Sequence, residues 1–181
     1  MKSALLVIDF QTGLIESTLP ATRGAETLAQ INATIALARQ RQMPVMFIQH
    51  HEDDLPQGSP AWELHPGLAR VESDIVIAKE SADAFLDTDL TATLEAMRIK
   101  GLWITGYACD FCVDTTLRRA ASLGYAVTVV SDAHTGKDRP HATGEQLVAH
   151  LNWLWAHLAV KGNPIRVISY GELELSERTN I

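Results

Sequence analysis

The chain has 181 residues, 46% hydrophobic and 20% charged, with a formal net charge of -7, an ordinary composition for a globular protein and enough length for one domain with a sizeable core. No basic run exceeds the pair Arg118-Arg119 and no apolar stretch reaches membrane-spanning length, so neither nucleic acid nor a membrane is an expected partner. With Cys109 and Cys112 as its two cysteines it is no disulfide scaffold, and Met1-Lys2-Ser3 leads directly into an apolar run without a signal-like region, so a cytoplasmic protein is expected.

Ala4-Leu5-Leu6-Val7-Ile8 is a continuous apolar run ending at Asp9, the pattern of a strand covered on both faces, as in a parallel sheet. Ala25 to Arg41 has Leu28, Ile31, Ile35 and Ala38 on one side and reads as a helix that Pro44 ends. Val45-Met46-Phe47-Ile48 is a second strand, followed by Gln49-His50-His51 and a long irregular stretch from Glu52 to Glu72, the length of a lid, binding loop or interface arm. Asp74 to Ala78 is a third strand that runs into Lys79, and Asp89 to Lys100 is a helix.

Leu102-Trp103-Ile104-Thr105 is a fourth strand, broken by Gly106. From Cys112 the period becomes helical, with Val113, Thr116, Leu117, Ala120 and Ala121 on one stripe and Gly124 closing it. Tyr125 to Val130 is a fifth strand, His141 to Val160 a long helix, and Ile165 to Ser169 a sixth strand. Strands and helices alternate without internal repeat, which predicts one α/β domain over residues 1–181, a three-layer α/β/α Rossmann-like arrangement on a mostly parallel six-stranded sheet.

In such sheets ligands bind at the carboxyl ends of the strands. Asp9 and Lys79 directly end apolar runs, and Cys112 stands at a helix start after a strand. A thiol at a helix N-terminus is biased toward the nucleophilic thiolate, a carboxylate can take and return its proton, and a lysine beside both favours their charged forms. The set suits acyl transfer. Two rival readings come from the same stretch of chain. Cys109-Asp110-Phe111-Cys112 also has the spacing of a thiol-disulfide redox pair. A nucleotide-binding module has less to stand on, because Asp9-Phe10-Gln11-Thr12-Gly13 is not a glycine-rich phosphate loop.

These residues resemble the isochorismatase-like cysteine hydrolases, a family that includes nicotinamidases, carbamoylsarcosine-type amidases and isochorismatases. The matching pieces are Asp9-x-Gln11, Trp62-Glu63-Leu64-His65-Pro66, Val76-Ile77-Ala78-Lys79 with Ser81 to Phe85, Gly106 followed by Cys112-Val113-x-x-Thr116, and Gly124-Tyr125 leading to Ser131-Asp132-Ala133. The resemblance implies a triad of Cys112, Asp9 and Lys79, an oxyanion hole from the N–H groups of Ala108 and Cys112, and a non-proline cis peptide at Tyr107-Ala108. It further implies cleavage of a C–N bond in a small-molecule amide or ureido compound. Vinyl-ether hydrolysis is the alternative within the family; its members that perform it do not depend on the cysteine, so Cys112 points to C–N cleavage.

Nicotinamidases hold a metal with an Asp-x-His and a further histidine. Here the stretch reads Gln49-His50-His51-Glu52-Asp53, with His65 next, and adjacent histidines on a strand point to opposite faces. No metal and no cofactor are therefore expected. Phe10, Gln11, Trp62, Phe85, Tyr107 and Phe111 are the expected substrate-binding residues. The last long helix is apolar on more than one side, which predicts a subunit interface through Trp153 or Trp155 and a homodimer or larger assembly.

Overall fold

Each apolar run becomes a strand of a single sheet. In the computed structural model, which describes residues 1–179, these are β1 (Ser3–Ile8), β2 (Val45–His50), β3 (Ile75–Lys79), β4 (Gly101–Tyr107), β5 (Ala126–Thr135) and β6 (Arg166–Ile168). Every pairing is parallel and the spatial order is β3-β2-β1-β4-β5-β6. That order reverses between β1 and β4, so the crevice of the fold opens there, above their carboxyl ends.

Side-chain alternation along β1 feeds two cores. Ala4, Leu6 and Ile8 join Leu94, Leu117 and Trp155 on one face, while Leu5 and Val7 join Ile31, Ile35 and Leu173 on the other. Helices α3 (Leu90–Ala96), α4 (Asp114–Ser122) and α5 (Gly144–Ala156) thus cover the first face, and α2 (Gly24–Gln40) and α6 (Tyr170–Thr179) the second. This is the expected three-layer arrangement.

Several local expectations are corrected. The helix expected from His141 starts at Gly144, because Arg139 and Ala142 pair as a β-bridge and Thr143 caps the helix in a reciprocal capping box with Gln146. It ends at Ala156 rather than Val160. Trp155 faces inward: it is fully buried and its indole donates to Asp114 Oδ1 at 2.7 Å. Its bulk therefore belongs to the core, and of the two interface candidates Trp153 remains, 60% exposed and stacked on His157. The short helix α1 (Thr12–Ile15) and α6 had no signal strong enough to be expected, and α3 is shorter than the predicted span.

β5 continues five residues beyond the expected Val130. Its register with β4 shifts from Ile104↔Val129 to Gly106↔His134, a bulge that carries His134 and Thr135 up beside the end of β4. Gly106 itself has φ 119, and a Cβ there would lie 2.0 Å from the carbonyl oxygen of Ile8. Only glycine permits β1 and β4 to come this close at the switch point.

Candidate active site

Four neighbouring strands deliver polar side chains to one place. Asp9 follows β1, His50 ends β2, Lys79 ends β3, and β4 leads into a turn carrying Cys112. Lys79 shares the inward side of β3 with Ile77, two residues back, so the strand's own alternation turns its ammonium toward the core side of the sheet. Asp9 leaves β1 through a left-handed φ of 45, which aspartate tolerates better than most residues; its N–H is fixed to the Ile48 carbonyl at 2.9 Å.

The nucleophile turn departs from the expected first turn of an α-helix. Residues Cys109–Val113 form one π-helical turn, with the Val113 N–H reaching back to the Ala108 carbonyl at 3.1 Å, before α4 begins at Asp114. Such π-turns recur at functional sites because the wider turn re-aims a side chain. The peptide bond between Tyr107 and Ala108 is cis. Thr116, one turn into α4, accepts from the Ala84 N–H at 3.1 Å and donates to the Ala82 carbonyl at 3.2 Å. It ties the nucleophile helix to the loop that leaves Lys79.

Lys79 is buried, and its Nζ lies 2.6 Å from Asp9 Oδ2 and 3.3 Å from Cys112 Sγ. The Asp9 carboxylate is held by this ion pair: neither of its oxygens has a hydrogen bond of ordinary geometry among the described residues. Burial raises the Asp9 carboxyl above the usual range, and Lys79, then Cys112, oppose it. Burial also dominates at Cys112, which is pushed up to about 12, with the Asp9 carboxylate adding to the rise and Lys79 opposing it. The thiolate bias expected from the helix start is thus reversed. The desolvation cost of a second anion beside Asp9 exceeds what one shared lysine returns, which favours the thiol form of Cys112.

The remaining expected residues separate into two groups. Phe10 is fully buried, packed with the α2-side core and edge-on to His65 at 5.6 Å, and Phe85 is buried against Tyr125 in the other core. Both pack into the hydrophobic cores on either face of the sheet. Gln11 is also buried and fully engaged: its amide donates to the carbonyls of His50 and Trp62 at 2.9 and 2.7 Å and accepts from the His50 N–H at 2.9 Å. It clamps the backbone at His50 and Trp62.

Tyr107 is buried in the same core as Phe10, at the end of β4. The Trp62 indole Nε1 is buried without a partner among the described residues. Phe111, beside Cys112, is half-exposed beneath the Arg139 guanidinium at 4.8 Å, and Arg139 is itself held by both oxygens of Asp110 at 2.7 and 3.2 Å. Burial pushes the Tyr107 phenol up to about 12. Ala108 is buried at the entrance to the π-turn.

Both cysteines are free. Cys109 is buried against Gly136 and also pushed up to about 12, chiefly by burial. A redox C-x-x-C needs at least one thiol lowered toward the thiolate, and here burial raises both. The histidines do not fit a shared metal either. His50 faces Lys79 and Glu52, His51 faces Glu80, and His65 is bonded to Glu16, and no cluster of three or more metal-ligating side chains occurs among the described residues. No helix of the described residues is long and apolar enough to cross a membrane. Sequence reading missed His50 at this site; its signal was the position, one strand over from Lys79 at the same strand end.

Comparison with known proteins gives the family of the chain. Residues 3–153 match the profile of the Isochorismatase domain. The chain is 33% identical over 143 residues to the streptothricin hydrolase of Streptomyces noursei, covering 77% of this chain and 51% of that protein, so it spans about half the length of that relative. It is 32% identical over 170 residues to the ureidoacrylate amidohydrolase RutB of Variovorax paradoxus, covering 72% of this chain and 68% of that one. A crystal structure of an isochorismatase family protein superposes with a TM-score of 0.85 at 36% identity, covering 92% of this chain and 98% of the other.

Proposed function

The chain belongs to the isochorismatase family, and from that premise we propose that it is a cysteine amidohydrolase that opens a C–N bond of a small amide or ureido compound through a thioester. The observation that carries this reading is the buried Lys79 ammonium placed between the Asp9 carboxylate and the Cys112 thiol, at 2.6 and 3.3 Å. Relatives named for hydrolysis of streptothricin and of ureidoacrylate support a C–N target.

The chemistry follows from the protonation states. Asp9, made a stronger base by burial, takes the thiol proton as Sγ attacks the carbonyl carbon, so a free thiolate need not accumulate. The carbonyl oxygen becomes an oxyanion against the N–H groups of Ala108 and Cys112. As the C–N bond breaks, Asp9 returns its proton to the leaving ammonia or amine, and Cys112 remains as a thioester. Water then attacks the thioester carbon, giving its proton to Asp9. The acid product leaves as the C–S bond breaks, and Asp9 returns the proton to Sγ. Lys79 balances the negative charge through every step. The unpaired Trp62 indole N–H is a donor for the substrate, and Tyr107 and Phe111 border the pocket.

The whole reading takes residues 1–181 as one domain in a cytoplasmic setting that keeps Cys112 reduced, assembled as a dimer or larger oligomer through Trp153. The test is ammonia release from a panel of primary amides and ureido compounds by the wild-type protein, Cys112→Ala and Cys109→Ala. Turnover abolished by Cys112→Ala and retained by Cys109→Ala is expected. Turnover that survives Cys112→Ala refutes the thioester route, and a vinyl-ether substrate becomes the target to try.

A further inference from the structure

We propose that His50 is a positioning residue for the same site, fixing the direction of the Lys79 ammonium through its ring Nδ1; this rests on reading Asp9, Lys79 and Cys112 as the reacting set. An ammonium has three N–H donors and no lone pair, so every polar neighbour of Nζ must accept from it. Lys79 Nζ has three such neighbours: Asp9 Oδ2 at 2.6 Å, Cys112 Sγ at 3.3 Å and His50 Nδ1 at 3.2 Å. The bond at 3.2 Å is therefore donated to the imidazole, and Nδ1 is its acceptor. The ring proton lies on Nε2, on the side facing the Glu52 carboxylate at 3.7 Å.

The ring is held where this bond requires it. His50 stands opposite Lys79 in the β2–β3 register. The Gln11 side chain bonds both the N–H and the carbonyl of His50 at 2.9 Å, and the following residue, His51, donates its N–H to the Lys79 carbonyl at 3.0 Å. Gln11 is two residues past Asp9, so one short segment aligns the base, the clamp and the residue that aims the cation.

The chemistry explains why a neutral acceptor belongs there. Asp9 attracts the ammonium only while it is ionised. Once it has taken the thiol proton, Lys79 is a buried cation beside a neutral acid, whose carbonyl oxygen still accepts but holds the ammonium less strongly than the carboxylate did. The bond to His50 does not depend on the charge of Asp9. It keeps the ammonium directed at the carboxyl and the sulfur throughout the cycle, and it gives a buried donor an acceptor, whose loss would be costly.

The experiment compares His50→Leu, which removes the acceptor, with His50→Asn, whose amide oxygen reaches close to the place of Nδ1; His50→Ala substitutes if the leucine variant does not fold. Two readouts are taken: kcat and KM on the best amide, and the rate of Cys112 alkylation by iodoacetamide followed on the Cys112 peptide. For His50→Leu, kcat falls about 10²-fold with KM within about twofold, the effect expected of a misplaced catalytic group, and alkylation slows about tenfold. His50→Asn recovers most of both. An unchanged kcat and alkylation rate in His50→Leu overturns the proposal, and so does a His50→Asn protein as impaired as His50→Leu. If the wild-type protein turns over no amide, it is the hydrolase reading that fails, and the alkylation rates still decide the role of His50.

Discussion

Removing the charge of Lys79 tests the electrostatics of the site without any substrate. Lys79 and Asp9 are 2% and 1% exposed, with 2.6 Å between Nζ and Oδ2. At an effective dielectric of about 20 the attraction at that separation is about 6 kcal/mol, and part of it is spent on keeping both groups out of water. Lys79→Met keeps the stem and deletes the cation, leaving a buried carboxylate opposed only by burial. A broken buried pair of this kind costs about 3–5 kcal/mol, which for a chain of this size is a fall in Tm on the order of 10 °C.

The sign with pH follows from the raised Asp9 carboxyl. A carboxyl whose folded pKa lies above its unfolded value destabilises the fold once pH exceeds the unfolded value, about 3.9, and the penalty grows until pH passes the folded value. Lys79→Met raises the folded value further, so its stability deficit is largest at neutral pH and shrinks as pH falls toward the unfolded value. The double variant Asp9→Asn/Lys79→Met removes both charges and is expected within about 1–2 kcal/mol of wild type, far better than the sum of the single changes. Urea unfolding of the four proteins at neutral and acid pH supplies the cycle. Additive single costs, or a Lys79→Met deficit that does not change with pH, refute the coupling.

Two further outcomes are expected. Because Cys112 is a thiol pushed up to about 12, by burial first and by the Asp9 carboxylate second, iodoacetamide at pH 8 alkylates it on the order of 10³-fold more slowly than a free cysteine near 8.5; Asp9→Asn speeds alkylation while abolishing amide turnover, and a fast-reacting wild-type thiol would contradict the resting thiol. Trp153→Ala, which removes an exposed ring stacked on His157, changes Tm of the monomer by an amount corresponding to within about 0.5 kcal/mol but lowers the mass seen by light scattering at micromolar concentration; an unchanged mass removes Trp153 from any interface.

The apolar runs, their helical and two-residue periods, and the polar residue at each strand exit are properties of short segments. They were enough to specify a parallel α/β sheet and to pick out Asp9, Lys79 and Cys112, because a buried parallel strand must be apolar along its length and its last side chain meets the crevice. The resemblance to the isochorismatase-like hydrolases, rather than any local pattern, implied Ala108 and the cis peptide at Tyr107-Ala108. What the sequence could not carry depends on which segments become neighbours. Phe10 and Gln11 follow Asp9 directly and Phe85 lies six residues past Lys79, but packing turns the two rings into opposite cores and engages the glutamine on the backbones of His50 and Trp62. Trp155 and Trp153 look alike along the helix, and only the placement of Asp114 and His134 decides which one is covered. The same holds for charge. A cysteine at a helix start reads as a thiolate until burial and the nearby Asp9 carboxylate reverse the balance, and His50 becomes part of the site only because β2 lies between β1 and β3. Local sequence encodes which side chains are available and which way each strand presents them. Desolvation and the pairing of hydrogen-bond donors with acceptors are set by distances between remote segments, and these exist only in the folded chain.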